Sequence, residues 1–235
     1  MKQPLKRQRT RRRIFSNIVI ILVSAVLLLA IYLMVQSNHT PFRWCVATAY
    51  TGLILLAVTL LTGPVNVLFG RQNPISTDIR RDIGFWSAVI SIVHVVVGLQ
   101  LHMGNMLYYF FRPVGEAKNL VLRWDTFGFA NHTGLIATII LILLLVTSND
   151  LSMRILGAKR WKAVQYTNYL LFALVATHSI IYLVILKRSM HYSIPFAVVV
   201  IIVVVLQLTG FCKIKYKSRK TPPAIVDQSS IAVDN

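Results

Sequence analysis

The sequence predicts an all-α integral membrane protein, a bundle of six transmembrane helices with both termini cytoplasmic. Three observations carry that reading. The hydrophobic fraction is 56%, the charged fraction only 14%, and the mean hydropathy is +0.65; a water-facing surface on a chain of this size needs nearer a quarter of charged residues. The apolar residues fall into six runs, at 14–35, 44–62, 83–101, 130–146, 163–186 and 194–211. The Lys and Arg residues are then split 19 to 6 between the two faces that six crossings define.

Each run is close to the ~20 residues that cross a ~30 Å hydrocarbon layer at ~1.5 Å per residue. A helix satisfies its own backbone hydrogen bonds in lipid, which makes it the economical spanning structure. A transmembrane barrel would need short alternating segments, and these runs do not alternate. If odd-numbered spans run outward, the richer face carries the tail 1–13, the loops 63–82 and 147–162, and the segment after Phe211. That bias sets the richer face in the cytoplasm. It also accounts for the formal charge of +18 without nucleic acid as a partner. The basic tail is placed to touch anionic head groups as well.

The organisation expected is a basic cytoplasmic tail at 1–13, a transmembrane domain at 14–212 and a disordered cytoplasmic tail at 213–235. Arg12-Arg13-Ile14-Phe15 faintly resembles a twin-arginine export signal, but the apolar stretch behind it is too long for a cleaved leader and reads as a retained first span. Cys45 and Cys212 fall at opposite faces and cannot pair within one chain. The sequons Asn38-His39-Thr40 and Asn131-His132-Thr133 hug the membrane and read as coincidence.

Polar groups persisting inside a bilayer are the place to look for chemistry. None of the six runs contains Asp, Glu, Lys or Arg, and two histidines lie well inside, His94 in the third and His178 in the fifth. Counted along the helix, His94 lies ~16 Å into the membrane and His178 ~18 Å, both spans running outward. Two imidazoles at one level on different helices can clamp a haem iron, the macrocycle supplying the other four donors. Zinc would want four ligands, and no carboxylate or thiolate is at hand. Ser87, Ser91 and Gly98 share the helical face of His94, so a flat ring would find room there. A hydrogen-bonded helix contact and a proton relay remain open as readings of the same pair. His102 and His132, at the outer boundary, form a candidate outer docking or metal site, with Trp124, Asp125 and Glu116 nearby. Their alternative is plain exposure to interfacial water.

The stretch Arg80-Arg81-Asp82-Ile83-Gly84-Phe85-Trp86, followed by His94, resembles the third span of ferric-reductase-like transmembrane domains. It is similar in particular to the haem-bearing membrane subunit of the bacterial periplasmic methionine sulfoxide reductase system. A second block, Thr147-Ser148-Asn149-Asp150, Leu156-Gly157, Lys159-Arg160-Trp161, Tyr169 and His178, suits that family's fifth span. The resemblance covers about 80–182. It implies a six-helix bundle holding haem b through His94 and His178, with Arg80, Arg81, Ser91, Gly98 and Trp161 as packing or propionate contacts. The sequence departs from the family in having Gln165 or Tyr166 where a further histidine is often found, and in lacking a second histidine on span three. One haem is therefore expected.

The resulting expectation is a multi-pass protein of the cell membrane, the inner membrane if bacterial, that transfers electrons through one haem b. No G-x-G-x-x-G fingerprint appears, so flavin or quinone chemistry is expected to come through a partner, either a separate flavin reductase or quinol. The outer-side acceptor is unnamed. The rival is a cofactor-free transporter or assembly protein on the same fold, against which the lack of intramembrane carboxylates counts.

Overall fold

The computed structural model describes residues 3–70, 74–101, 105–116, 118–187 and 190–220. The chain forms α1 (Gln3–Met34), α2 (Thr40–Leu68), α3 (Pro74–Leu99), a hairpin of β1 (Phe111–Val114) and β2 (Asn119–Leu122), then α4 (Thr126–Thr147), α5 (Asp150–Ile180) and α6 (Ser193–Lys220). Among the described residues, six helices are long and apolar enough to cross a membrane. The protein is a multi-pass membrane bundle. Both end helices outrun the apolar runs: α1 is helical from Gln3, within the basic tail, and α6 continues to Lys220. The disorder expected for the last residues, 221–235, lies outside the described residues.

α2 is the hub. Of its apolar stretch 61% is buried, against 6–28% in the other five helices, and it packs against α1, α3 and α6. Small and hydroxyl residues make this possible. Ala47, Thr48, Thr51 and Gly52 are buried, and the Thr51 hydroxyl donates to the Ala47 carbonyl at 2.8 Å within its own helix. Gly52 meets α3 so closely that a Cβ there would stand 2.6 Å from Ser91 Oγ, while Ser87 Oγ donates to the Gly52 carbonyl at 3.0 Å. Such close small-residue contacts are how helices associate where lipid removes the hydrophobic drive. Leu53, Leu60, Leu141, Leu171 and Phe196 join α2, α4, α5 and α6 in one core.

Polar pairs fix the rest. Pro64 lies within α2 and has no N–H to offer the Leu60 carbonyl; Gln207 Nε2 of α6 donates to that carbonyl instead, at 2.8 Å. α1, exposed along most of its length, is held to α3 by a two-rung ladder. Arg13 pairs with the buried Asp82 at 2.8 Å, and Trp86 Nε1 donates to Asn17 Oδ1 at 2.9 Å. The exposed Ile, Leu and Val side chains of α1, α4 and α6 face the hydrocarbon that such a bundle requires.

The helix called α5 bends at Gly157, whose φ of 72° and ψ of 156° break the helical path. Glycine adopts that conformation without the Cβ penalty. Beyond Ile180 the helix widens into a π turn, Ile181–Ile185. Six crossings return the chain to the end where it began, and the hairpin lies at the opposite end.

Candidate functional site

His94 reaches the site from α3 and His178 from α5, and both line one cavity of about 360 Å³. This volume is in the range of small-molecule and cofactor pockets. The walls are mostly apolar, from Val46, Leu53, Leu56, Leu141 and Phe196 among others, with Tyr50, Ser91, Asn131, Thr138 and Tyr182 as polar points. Ser91 and Gly98 lie in the wall as their shared face with His94 predicts.

Each imidazole is oriented by a neighbouring helix. His94 Nδ1 lies 3.1 Å from the Cys45 carbonyl of α2, with the Cys45 thiol 3.7 Å away. His178 Nδ1 lies 2.8 Å from the Ala130 carbonyl of α4. A carbonyl oxygen only accepts, so both Nδ1 atoms carry the proton and donate it. This fixes the tautomer and leaves the Nε2 lone pair free on each ring, and among the described residues neither Nε2 makes a hydrogen bond. Metal-binding histidines are commonly held in this way, the second nitrogen donating to a carbonyl. Gly134 lets the His178 ring approach α4: a Cβ there would lie 2.8 Å from Nδ1. Among the described residues no three His, Cys, Asp or Glu side chains gather. A bare cation would therefore meet two nitrogen donors, too few for a zinc site.

A buried network closes the cavity at the hairpin end. Tyr182, in the π turn, donates to Asn131 Oδ1 at 2.8 Å, and its ring lies 5.0 Å from His178. Asn131 Nδ2 donates to the Phe127 carbonyl at 2.8 Å. Tyr109 donates to the Gly98 carbonyl at 2.9 Å. Asn131, 9% exposed, is thus a core residue in this fold, so its sequon is a coincidence of spelling.

The remaining sequence-predicted residues lie elsewhere. Arg81 pairs with Asp150 at the far end of the bundle, and neither it nor Arg80 lines the cavity. Trp161 donates to the Thr147 carbonyl at 2.9 Å and closes the α4–α5 turn. His132 is not in the cavity wall; its Nε2 donates to the Arg123 carbonyl at 3.0 Å, between the rings of Phe110 and Trp124. His102 lies outside the described residues. Asp125, near His132, caps α4. Slight burial pushes its carboxyl up, but the Gly128 amide and the Arg123 guanidinium outweigh that and hold it below the usual carboxylate range.

Sequence reasoning missed Cys45, Ala130, Gly134 and Tyr182 as parts of the site. Tyr182 carried a signal, since it follows His178 by four residues and so shares its helical face. Gly134 carried another, as a glycine inside an apolar run where alanine would be the better helix former.

No curated protein matches the chain. A family model described as the ferric reductase like transmembrane component matches residues 46–176, more than half of the sequence. The match runs from within α2 into α5, takes in His94 and ends just before His178. With a six-helix membrane bundle around it, the chain belongs to the family of ferric-reductase-like transmembrane components.

Proposed function

We propose that the protein is the haem-bearing membrane component of an oxidoreductase, with one haem b held between His94 and His178. The observation that carries this reading is the pair of free Nε2 atoms on two helices, both in the wall of one largely apolar cavity. Such a donor set suits a macrocycle that brings four nitrogens of its own. When bound, haem supplies a one-electron ferric/ferrous couple.

The chain's own residues do the rest. The Cys45 and Ala130 carbonyls orient the two imidazoles and hold the proton on Nδ1 of each. Ser91, Gly98 and Gly134 keep the space between the helices open. The apolar walls exclude water, and the Tyr182–Asn131 network closes the end toward the hairpin. Electrons enter from quinol or a separate flavin reductase at the cytoplasmic face, which the charge bias assigns to the end bearing both termini, and leave to an acceptor on the hairpin side. Among members of the family, the blocks around Arg80–Trp86 and Thr147–His178 favour a role like that of the membrane subunit of the methionine sulfoxide reductase system.

The test is spectroscopic. Purified protein should give a reduced-minus-oxidised spectrum of b type with about one haem per chain. His94→Ala and His178→Ala should each abolish most of it, while His191→Ala, in an exposed position, should not. Haem retained in full by both cavity variants would overturn the assignment.

A further inference from the structure

The hairpin between α3 and α4 is the least explained part of the bundle. Its register pairs Phe111 with Leu122, Arg112 with Val121, Pro113 with Leu120 and Val114 with Asn119. Side chains alternate across a strand, and directly paired residues share a face. One face therefore carries Phe111, Pro113, Leu120 and Leu122, all apolar. The other carries Arg112, Val114, Asn119 and Val121. Neither strand packs broadly on a membrane helix, and Leu120 and Leu122 are 47% and 37% exposed. A lone two-stranded hairpin is marginal in water, and an apolar face of this kind needs a cover.

The bilayer surface is the cover that the chain itself points to. Leu122 is followed by Trp124, 75% exposed, and then by α4, whose Phe129, Leu135, Ile136 and Ile139 are also exposed along its outward side. The hairpin is thus joined along the chain, through Trp124, to the exposed apolar residues that α4 presents. Tryptophan concentrates at the membrane–water interface, with its ring in the head-group layer. Arg112 and Lys118, on the opposite face and at the turn, are placed to meet phosphates or water. The second face is mixed, with Val114 and Val121 each 45% exposed beside Arg112 and Asn119, while the first is apolar throughout. An element with one face more apolar than the other lies in the plane of the interface with the more apolar face inward.

We propose that the 111–122 hairpin is a membrane-seated arm, its Phe111/Pro113/Leu120/Leu122 face resting in the lipid head-group layer. The arm has a purpose for the cavity. Its base is tied to the segment before it: the Arg123 amide donates to the Phe110 carbonyl at 2.8 Å, and Arg123 Nη1 donates to the Tyr108 carbonyl at 2.9 Å. Tyr109 and Phe110 line the cavity. Seating the hairpin in lipid holds these two side chains in the cavity wall at that end, whether or not the cavity is filled.

Nitroxide labels read this directly. In full-length protein carrying Cys212→Ser, with that parent as the background for Cys45, labels are placed singly by Asn119→Cys, Leu120→Cys, Val121→Cys and Leu122→Cys. In phospholipid vesicles, relaxation by oxygen should exceed relaxation by a water-soluble nickel chelate at 120 and 122, and the order should reverse at 119 and 121. Nickel dominance at all four positions would overturn the proposal, leaving an arm that stands in water; protection from both agents at 120 and 122 would overturn it in favour of a protein contact. The unaltered chain gives a second readout. A phospholipid with a photoactivatable diazirine near its glycerol backbone should label the 111–122 peptide as well as the 135–139 region of α4. Labelling of α4 alone would sink the idea.

Discussion

Gly134 is the residue on which the cavity geometry turns most sharply. A methyl group at this position would meet the His178 ring at 2.8 Å from Nδ1 and 3.0 Å from Cε1, well inside contact distance. Gly134→Ala should therefore push the imidazole off the Ala130 carbonyl and weaken haem retention, seen as a fall in haem-to-protein ratio after purification. Gly63→Ala is the control: outside its chain neighbours the added Cβ meets nothing within 4 Å, and it should leave haem content unchanged, whatever the following Pro64 costs α2. At this scale the histidines were legible, because an imidazole in a run free of other ionisable groups has few bland explanations. Asn131 was not. Its sequon spells a surface signal, and only the fold shows the amide consumed by Tyr182 and the Phe127 carbonyl. Trp161, which the resemblance implies as a packing or propionate contact, donates to the Thr147 carbonyl across the α4–α5 turn, a partner that spacing along a helix could not reveal.

At the scale of elements, α2 and α6 depend on one exchange. Pro64 leaves the Leu60 carbonyl short of a donor, and Gln207 supplies it. Gln207→Leu should cost about 1 kcal/mol, the usual size of an interhelical hydrogen bond in membranes. Pro64→Ala restores an N–H to the helix, so Gln207→Leu in that background should cost little. Thermal unfolding of the four proteins in detergent gives the cycle, and equal costs in both backgrounds would refute the coupling. The six helices themselves were legible from run length alone. The hairpin was not, because its two strands are four residues each and one contains Pro113, which demotes a strand on sequence grounds. The bend at Gly157 was hidden too: a glycine beside basic residues reads as a helix end as readily as a change of direction.

For the whole molecule, the proposed electron transfer raises the question of how electrons would reach a buried site. The bundle end bearing both termini carries Arg80, Arg81, Arg154, Lys159, Arg160 and Lys162, with Arg81 already paired to Asp150. These charges first orient the chain, and they would also steer an acidic flavoprotein to that face, an effect that salt weakens. NAD(P)H alone should not reduce the purified protein, whereas added flavin reductase or quinol should. Rapid reduction by NAD(P)H without a second protein would contradict the reading. A reductase-driven rate that falls with salt would point to docking on the basic face, and a salt-independent rate to quinol arriving through lipid.

The Nδ1 acceptors of His94 and His178 have a consequence for inheritance. Both are main-chain oxygens, at Cys45 and Ala130, and every amino acid that could replace these two residues brings the same oxygen. No substitution at 45 or 130 can delete either acceptor; the hydrogen bond is lost only if a helix is displaced or the ring itself is pushed aside, as Gly134→Ala would do. Lineages can therefore exchange the thiol at 45 or the methyl at 130 and keep both main-chain acceptors. The selective record at such positions will register the bulk of the side chain and stay silent about the hydrogen bond.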